Sequence, residues 1–557
     1  MNVVNSNPKE YIEEIQKKYE DSDRDIVLDS LAGAIDRLQK AFPGRGHFLM
    51  EFIQNADDAN SKSMKIEIEK GCITIFNNGD YFSRKDIKSI CKVGRSSKTP
   101  EDYIGYLGVG FKSVFLISNC PQIYSGSYQF KFDKNHWMNR ENIPWQVMPI
   151  WIDNNLDMQN ETWKTVFIIP KAEEIDEKIM HKLEEEVSSK HLNNRVILFL
   201  RNINEIEIHD KIENIKRKIV KSKDISKSNY EICSVDEYEN EELKTKDRWL
   251  IFRNPECIVP TEVKKDQATI DWERQNVTKR EVLAVFRLDE ENNLLEEERG
   301  TAHTGVFSFL PLKETESGLR FLIQTDFLTT PGRADIQRES LWNEWLANEI
   351  YKLIEEKCIP EFLKNGKWKF NFTQVLYPGS GGHELFDGYI KRPLREYLKN
   401  NSVLIAEDGS TAKADELISM NSEIRGLVTD DLKIVYPGKK VIHIDCRTDI
   451  DLNIKNAPST SLNFVNDYET KKLISKRAEQ GHITWFKTLY NKLNIYSEDY
   501  LRREIGYSAI ILTKDNELVE SDKVYIKPEN ISIPRQLKDN YKIVHPEFIS
   551  HNKEDFD

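Results

Sequence analysis

Leu28, Leu31, Ile35, Leu38 and Phe42 recur at three- and four-residue spacing, which predicts an amphipathic helix over 23–42 that PGRG at 43–46 breaks. A second helix follows over 47–60. The pattern then changes to period two: MKIEIEK (64–70) and ITIF (73–76) alternate about Gly71 and predict a hairpin. Ser83 is placed to cap a further helix with Ile87, Ile90 and Cys91 inward. A Gly-rich stretch opens another helix over Gly105–Ser118, and apolar strand-like runs stand at 165–169 and 196–200. Strands and helices do not alternate as in a crossover-built dinucleotide domain. The expected class is therefore α+β: a two-layer α/β sandwich, with helices on one face of a mixed sheet, over 1–210 including a helical leader.

Beyond 210 the pattern changes again. Residues 211–247 are rich in Lys, Glu, Asp and Ser and read as a linker or insertion, with the basic run KIENIKRKIVKSK as a solvated helix or linker rather than a nucleic-acid contact. Strand runs return as RWLIF (248–252), VLAVFRL (282–288), GVFSFLPL (305–312) and FLIQTDF (321–327), before a helix over 340–363 with Trp342 and Trp345 in its core face. This predicts a second α/β domain over 248–365. In 366–557, SVLIAEDGSTAKADELI (402–418) and AIILTKDNELVESDKVYI (509–526) share a strand, an Asp-bearing turn and a second Asp seven residues on. They predict two related strand–turn–strand units in a C-terminal mixed α/β domain.

Composition narrows the function classes. Charged residues make up 31% and hydrophobic residues 39% of 557, a globular balance that leaves room for three or four domains. No apolar run approaches the ~18 residues that span a bilayer, and the polar, acidic N-terminus lacks the apolar core of a secretion signal. Seven scattered cysteines, none at CxxC spacing, indicate neither a zinc site nor a disulfide framework and favour a reducing cytoplasm. His209, His303, His443 and His545 show no ligand spacing. A net charge of −13 argues against bulk attraction to nucleic acid.

Two segments carry candidate chemistry. In HFLMEFIQNADDAN, at roughly 100° per residue, Asn55 lies about 40° and Asp58 about −20° from Glu51. Three polar groups thus share one stripe, with Phe52, Ile53, Leu49, Ala56 and Ala59 on the neighbouring arc. A carboxylate and an amide oxygen one turn apart suit a hard cation and a water to be deprotonated. Taken alone, the helix also reads as an ordinary amphipathic one. The second segment is Gly105-Tyr-Leu-Gly108-Val109-Gly110-Phe111-Lys112-Ser113, whose glycines let backbone N–H groups approach phosphate at a helix N-terminus. It fits neither of two better-known loops. Phe111 stands where a Walker loop needs Lys, and Ser113 where a dinucleotide loop needs Gly.

Together the two segments resemble the GHKL superfamily of heat-shock chaperones, MutL, gyrase B and histidine kinases. Glu51, Asn55, Asp58 and Ala59 match its E-x-x-x-N-x-x-D-A motif, and Gly105, Gly108, Gly110, Phe111 and Ser113 match its G-x-x-G-x-G-F-x-S motif. The resemblance implies Glu51 as general base, Asn55 as Mg²⁺ ligand and Asp58 beside the nucleotide. It implies phosphates cradled at Gly105, Gly108, Val109, Gly110 and Phe111, and Thr165 completing the pocket. Ser96, Ser97 and Lys98, in GRSSK, fall where such proteins carry a mobile lid. Lys112 either neutralises phosphate or is solvated. From the second domain, Arg333 in PGRAD is the candidate for stabilising charge on the transferred phosphoryl group, with Arg338 as runner-up and a plain loop arginine as the alternative.

One motif departs from the pattern. The D-x-G-x-G motif, whose Asp accepts from the adenine amino group, reads here as FNNGDYF: Asn77 replaces the Asp, Gly79 is kept and Tyr81 replaces the second Gly. An amide oxygen still accepts, but without charge assistance. Asp80 either compensates or simply serves the turn. The Asn-Asn pair, with GYLGVGFKSVF and the FSFLPLKETESGLRFLIQTDFLTTPGRADIQRESLWNEWL segment, resembles the sacsin and NO VEIN group of large GHKL proteins.

The resemblance implies ATP and Mg²⁺ as ligands, slow ATP hydrolysis coupled to lid and domain closure, and a homodimer. It also implies action on a protein or nucleic-acid partner, as a chaperone-like machine or as an antiviral-defence switch beside a separate nuclease or helicase subunit. The departure at Asn77 leaves a second expectation open: a non-hydrolysing ATP sensor or scaffold subunit of a larger complex.

Overall fold

The computed structural model describes residues 7–41, 48–92, 110–137, 143–153, 162–173, 192, 194–297, 305–312, 314–330, 335–446, 452, 454–493, 508–527, 532 and 541–548. These divide into two compact units, one formed by 1–365 with 378–394 and the other by 366–377 with 395–557.

The first unit is a mixed α/β assembly built on one large sheet. Helix α1 (Pro8–Glu20) opens with a capping box in which Asn7 and Glu10 satisfy each other's backbone N–H groups. Helix α2 (Asp29–Ala41) follows a short π-helical turn at Arg24–Leu28. Helix α3 (Phe48–Asp58) carries the polar stripe, and α4 (Arg84–Ile90) is capped by Ser83 with Ile87 buried beneath it. A single 3-10 helix covers Gly110–Leu116.

The hairpin about Gly71 is β1 (Ser63–Glu69) with β2 (Cys72–Asn77). Then come β3 (Gln122–Ser125), β4 (Tyr128–Lys131), β5 (Ile150–Trp151) and β6 (Thr165–Pro170). The apolar run at 196–200, expected as a strand, is instead a helical turn, α5 (Arg195–Leu198), all of whose apolar residues are buried. A short, wholly buried run carries no periodicity that tells helix from strand.

Residues 211–247, expected as a linker or solvated helix, form strands. After β7 (Glu205–Asp210) the chain runs as a meander of β8 (Ile215–Ser226), β9 (Glu231–Glu239) and β10 (Glu242–Ile258), continued by β11 (Lys279–Leu288). The charges that suggest a linker pair across strands: Lys223 with Glu231 at 2.6 Å, Lys218 with Glu205 at 2.9 Å and Arg253 with Glu231 at 3.2 Å. The inner face is sealed by Ile219, Cys233 and Val235 and by a buried Arg217–Glu237 pair at 2.5 Å. Removing one member of such a pair leaves an uncompensated charge, at a cost of roughly 3–5 kcal/mol.

Four further strands, β12 (Leu294–Leu295), β13 (Val306–Ser308), β14 (Leu310–Pro311) and β15 (Leu322–Thr325), bring the sheet to fifteen strands among the described residues. Its order is β14-β13-β15-β11-β10-β9-β8-β7-β1-β2-β6-β3-β4-β5, with β12 on β11. The β1–β7 and β13–β15 pairs are parallel and the others antiparallel. The expected division between 210 and 248 is therefore bridged by continuous hydrogen bonding through β1, β7 and β8. Helix α6 (Leu341–Leu353) buries Trp342 and Trp345. Residues 378–394 return to this unit: the N–H groups of Gly379 and His383 donate to the carbonyls of Gly318 and Glu316 at 2.9 and 2.8 Å.

The second unit packs helices at 422–428, 461–466, 468–479 and 483–493 around Phe464, Trp485, Phe486 and Leu489. It contains the same small unit twice. Leu404–Ile405 pairs with Thr411–Ala412, and Ile511–Leu512 with Leu518–Val519. A 3-10 turn follows each hairpin, at Ala414–Glu416 and Ser521–Lys523. Each then enters a short parallel pair, Leu417–Ile418 on Lys440–Val441 and Val524–Tyr525 on Lys542–Ile543. His443 N–H donates to Ile405 at 2.9 Å and His545 N–H to Leu512 at 3.0 Å, so the closing bonds correspond as well.

Candidate nucleotide site

Helix α3 is amphipathic in the way its spacing predicts. Within 51–58 only Glu51, Asn55 and Asp58 escape burial. On its other side Phe52 meets Phe167 of β6 at 4.9 Å and Phe111 at 6.2 Å, both edge-on. Phe111 belongs to the 3-10 helix that starts at Gly110, so the end of the Gly-rich segment is anchored on the same aromatic cluster as α3. Edge-to-face pairs of this kind add about 0.5–1.5 kcal/mol each beyond area burial.

The C-terminal end of α3 is held against the turn after β2. A Cβ on Gly79 would lie 2.5 Å from the Ala59 carbonyl oxygen, so any side chain at this position displaces the helix end or the turn. Asp80 N–H donates to that carbonyl at 2.6 Å, and Asn60, in the left-handed conformation at φ 60°, donates its amide to Asp80 at 2.7 Å. Asp80 thus serves the turn in this structure.

The two asparagines have different tasks. Asn78 Oδ1 accepts from the Lys62 and Ser63 N–H groups at 2.8 and 3.0 Å and from the Ser61 hydroxyl at 2.9 Å, which fixes the α3–β1 connection. Asn77 is buried, and its Oδ1 accepts from the Gly79 N–H at 3.1 Å. Asn77 also faces Thr165 across the β2–β6 ladder. The Thr165 hydroxyl is buried and shares a 2.7 Å hydrogen bond with Ser125, whose hydroxyl accepts from Phe82 N–H at 3.0 Å. The structure thus gathers Asn77, Gly79 and Thr165 at one end of β2 and β6, beside the end of α3.

Lys112 is neither solvated nor facing outward. It is buried, and its ammonium donates to the carbonyls of Ile90 at 2.5 Å and Gln146 at 3.0 Å. Ile90 ends α4, and the Tyr19 hydroxyl donates to the next carbonyl, Cys91, at 2.6 Å. A cation and a hydroxyl therefore cap carbonyls that helix geometry leaves without partners. Burial pulls the Lys112 ammonium down to about 8, and burial pushes the neighbouring Cys91 thiol up to about 12.

Ser96, Ser97, Lys98, Gly105, Gly108, Val109 and Arg333 lie outside the described residues. Arg338 is exposed. Thr329 and Ile336 form an antiparallel bridge on either side of 331–334.

Sequence reasoning passed over Asp57. This residue is 1% exposed, and its carboxylate accepts three backbone N–H groups, from Arg201 at 2.9 Å, Asn202 at 2.7 Å and Ile203 at 2.9 Å. The signal was available: Asp57 falls at roughly −120° from Glu51, on the buried side, where a carboxylate needs partners.

The Sacsin domain family model matches residues 63–167, from β1 to β6, the stretch that holds Asn77, Gly79 and Thr165. Protein NO VEIN of Arabidopsis thaliana is 26% identical over 522 residues, covering 86% of this chain and 17% of that protein. Sacsin of Homo sapiens is 26% identical over 118 residues, covering 18% of this chain and 3% of that protein. The chain therefore spans under a fifth of the length of these curated relatives. By these matches the chain is similar to the sacsin and NO VEIN-like group.

Proposed function

We propose that the first unit binds ATP with Mg²⁺ and hydrolyses it slowly, as a nucleotide-driven switch. One observation carries the reading: within 51–58 of α3 Glu51, Asn55 and Asp58 are the unburied positions, and the end of that helix is locked to the Asn77–Gly79 turn. The donor set suits Mg²⁺, which takes hard oxygen ligands, keeps most of its waters and needs only one or two protein oxygens beside nucleotide phosphates. Asn55 would hold the ion, which when bound supplies charge neutralisation at the phosphate oxygens.

The remaining roles belong to side chains of this chain. Glu51 accepts the proton of the attacking water, and Asp58 orients the base side of the nucleotide with Asn77. The N–H groups at Gly105, Gly108, Val109 and Gly110 receive the phosphates. Ser96, Ser97 and Lys98 close over them, and Arg333 stabilises charge on the phosphoryl group. A site assembled from separate segments turns over slowly, because closure precedes chemistry. The switch would act as a homodimer on a protein client, or in antiviral defence beside a nuclease or helicase that co-purifies with it.

The test is phosphate release from Mg·ATP, wild type beside Glu51→Ala, with binding followed by calorimetry. Wild type should release phosphate; the variant should bind with unchanged affinity and lose about 100-fold or more of the rate, the scale of a general base. Undiminished release by Glu51→Ala sinks the assignment. A second reading, a sensor that binds without turnover, is favoured by Asn77, whose oxygen already accepts from Gly79. Binding by both proteins with release by neither would establish it.

A further inference from the structure

The carboxylate of Asp57 gathers three successive backbone amides, and the Asp57 carbonyl also accepts from the Asn202 side chain at 3.0 Å. The loop it grips, 199–203, is held from its other flank by Lys221, whose ammonium donates to the carbonyls of Ile197 at 3.0 Å and Leu200 at 2.6 Å. The same loop reaches the strands beyond the nucleotide half. Phe199 packs on Phe307 of β13 with ring centres 4.4 Å apart, and the Arg201 guanidinium lies 5.2 Å over the Phe309 ring. Phe309 is left-handed at φ 64°, a conformation costly for an aromatic residue, and its N–H donates at 2.7 Å to the buried Gln324 side chain of β15. β15 is followed along the chain by Thr329, which bridges Ile336.

We propose that Asp57 is a positioning residue that couples α3, through loop 199–203, to Phe307–Phe309 and β15. Asp57 stands six residues from Glu51, about 9 Å along one rigid helix. A shift of its carboxylate therefore moves Glu51 and Asn55 as well. Because a buried carboxylate surrounded by amides has no partly bonded resting place, the helix and the loop move together or not at all. The coupling bears on catalysis through the nucleotide reading of α3, but its mechanical part is measurable without nucleotide.

The experiment uses the full chain with Asp57→Asn and, separately, Arg201→Gln. Asparagine keeps one oxygen for Asn202 and Ile203 and turns an N–H toward the Arg201 N–H, so the cradle breaks without a cavity. Three quantities are read: Mg·ATP affinity, turnover per folded molecule, and backbone amide exchange over 48–58, 199–203 and 305–311. Asp57→Asn should leave affinity within about threefold, lower turnover about tenfold or more, as small displacements of catalytic groups do, and raise exchange in all three segments. Arg201→Gln, at an exposed position, should lower turnover in the same direction, with the double variant no worse than Asp57→Asn. Faster exchange confined to 199–203, or unchanged turnover per folded molecule, overturns the proposal. If wild type shows no turnover, the hydrolysis reading has failed and exchange at 305–311 alone decides the coupling. If Asp57→Asn does not fold, Arg201→Gln decides it by exchange at 48–58.

Discussion

At the scale of single residues, α3 separates what a sequence shows from what it hides. The stripe of Glu51, Asn55 and Asp58 follows from helix geometry alone, and all three emerge unburied. Lys112 does not follow from it, because the same residue next to a glycine loop can reach outward to phosphate or inward to carbonyls. Only the fold decides, by placing the end of α4 and Gln146 within reach. That placement has a measurable consequence. The folded protein holds the Lys112 proton with a pKa of about 8, against 10.5 ordinarily. Between those values the unfolded chain binds a proton that the folded protein does not, so the stability due to this residue rises with pH across that window and is flat below it. Cys91, pushed up to about 12, stays a neutral thiol there. Urea unfolding of wild type and Lys112→Met should therefore diverge in favour of wild type by about 2 kcal/mol between pH 8 and about 10; parallel curves would contradict the buried ammonium. Asn77 makes a second prediction at this scale. Asn77→Asp keeps the Gly79 N–H as partner and restores a charged acceptor, so ATP affinity should rise by ~1 kcal/mol, about fivefold, with GTP unaffected. Calorimetry with both nucleotides checks it.

At the scale of elements, period decides legibility. The β1–β2 hairpin and the Ser83 cap were readable because alternation and capping chemistry are local. The meander over 211–247 was not, because its outer face carries Lys and Glu whose partners lie on the next strand. Cross-strand pairing makes a charged face compatible with a strand, while composition counts those residues as solvated. VILFL fails for the opposite reason: every apolar residue of α5 is buried, so neither period is visible. The two small units of the second half share a readable signal, since a turn Asp and a following apolar run recur at matching distances and the hairpins and closing bonds correspond. Their partner strands at Lys440–Val441 and Lys542–Ile543 carry no such mark. A two-residue parallel pair has no period of its own, and its place is set by the return of the chain.

At the scale of the molecule, the continuous sheet changes what an independent piece is. The sequence predicts a nucleotide domain ending near 210, but β7 pairs with β1 on one side and β8 on the other, so a cut there strips the antiparallel partner from all six residues of β7. It also removes Lys221 from the carbonyls of Ile197 and Leu200 and Arg217 from that of Leu192. The cut thus leaves a bare sheet edge and takes the side-chain donors from the Leu200 and Leu192 carbonyls, a combination that favours edge-to-edge association. A chain ending at 394 keeps the whole sheet, α6 and the returning segment that bonds to Gly318 and Glu316. Fragment 1–394 should therefore be monodisperse in dilute solution and unfold in one cooperative step, and fragment 1–210 should aggregate or lack a transition. Light scattering and calorimetry on the two fragments separate the cases. A cooperative, monomeric 1–210 would mean that the β7–β8 ladder is a docking surface between two stable halves, and the Asp57 loop would then join bodies free to part. A failed 1–210 beside a sound 1–394 means that motion of α3 reaches β15 through one sheet, with no hinge between 210 and 248 to absorb it.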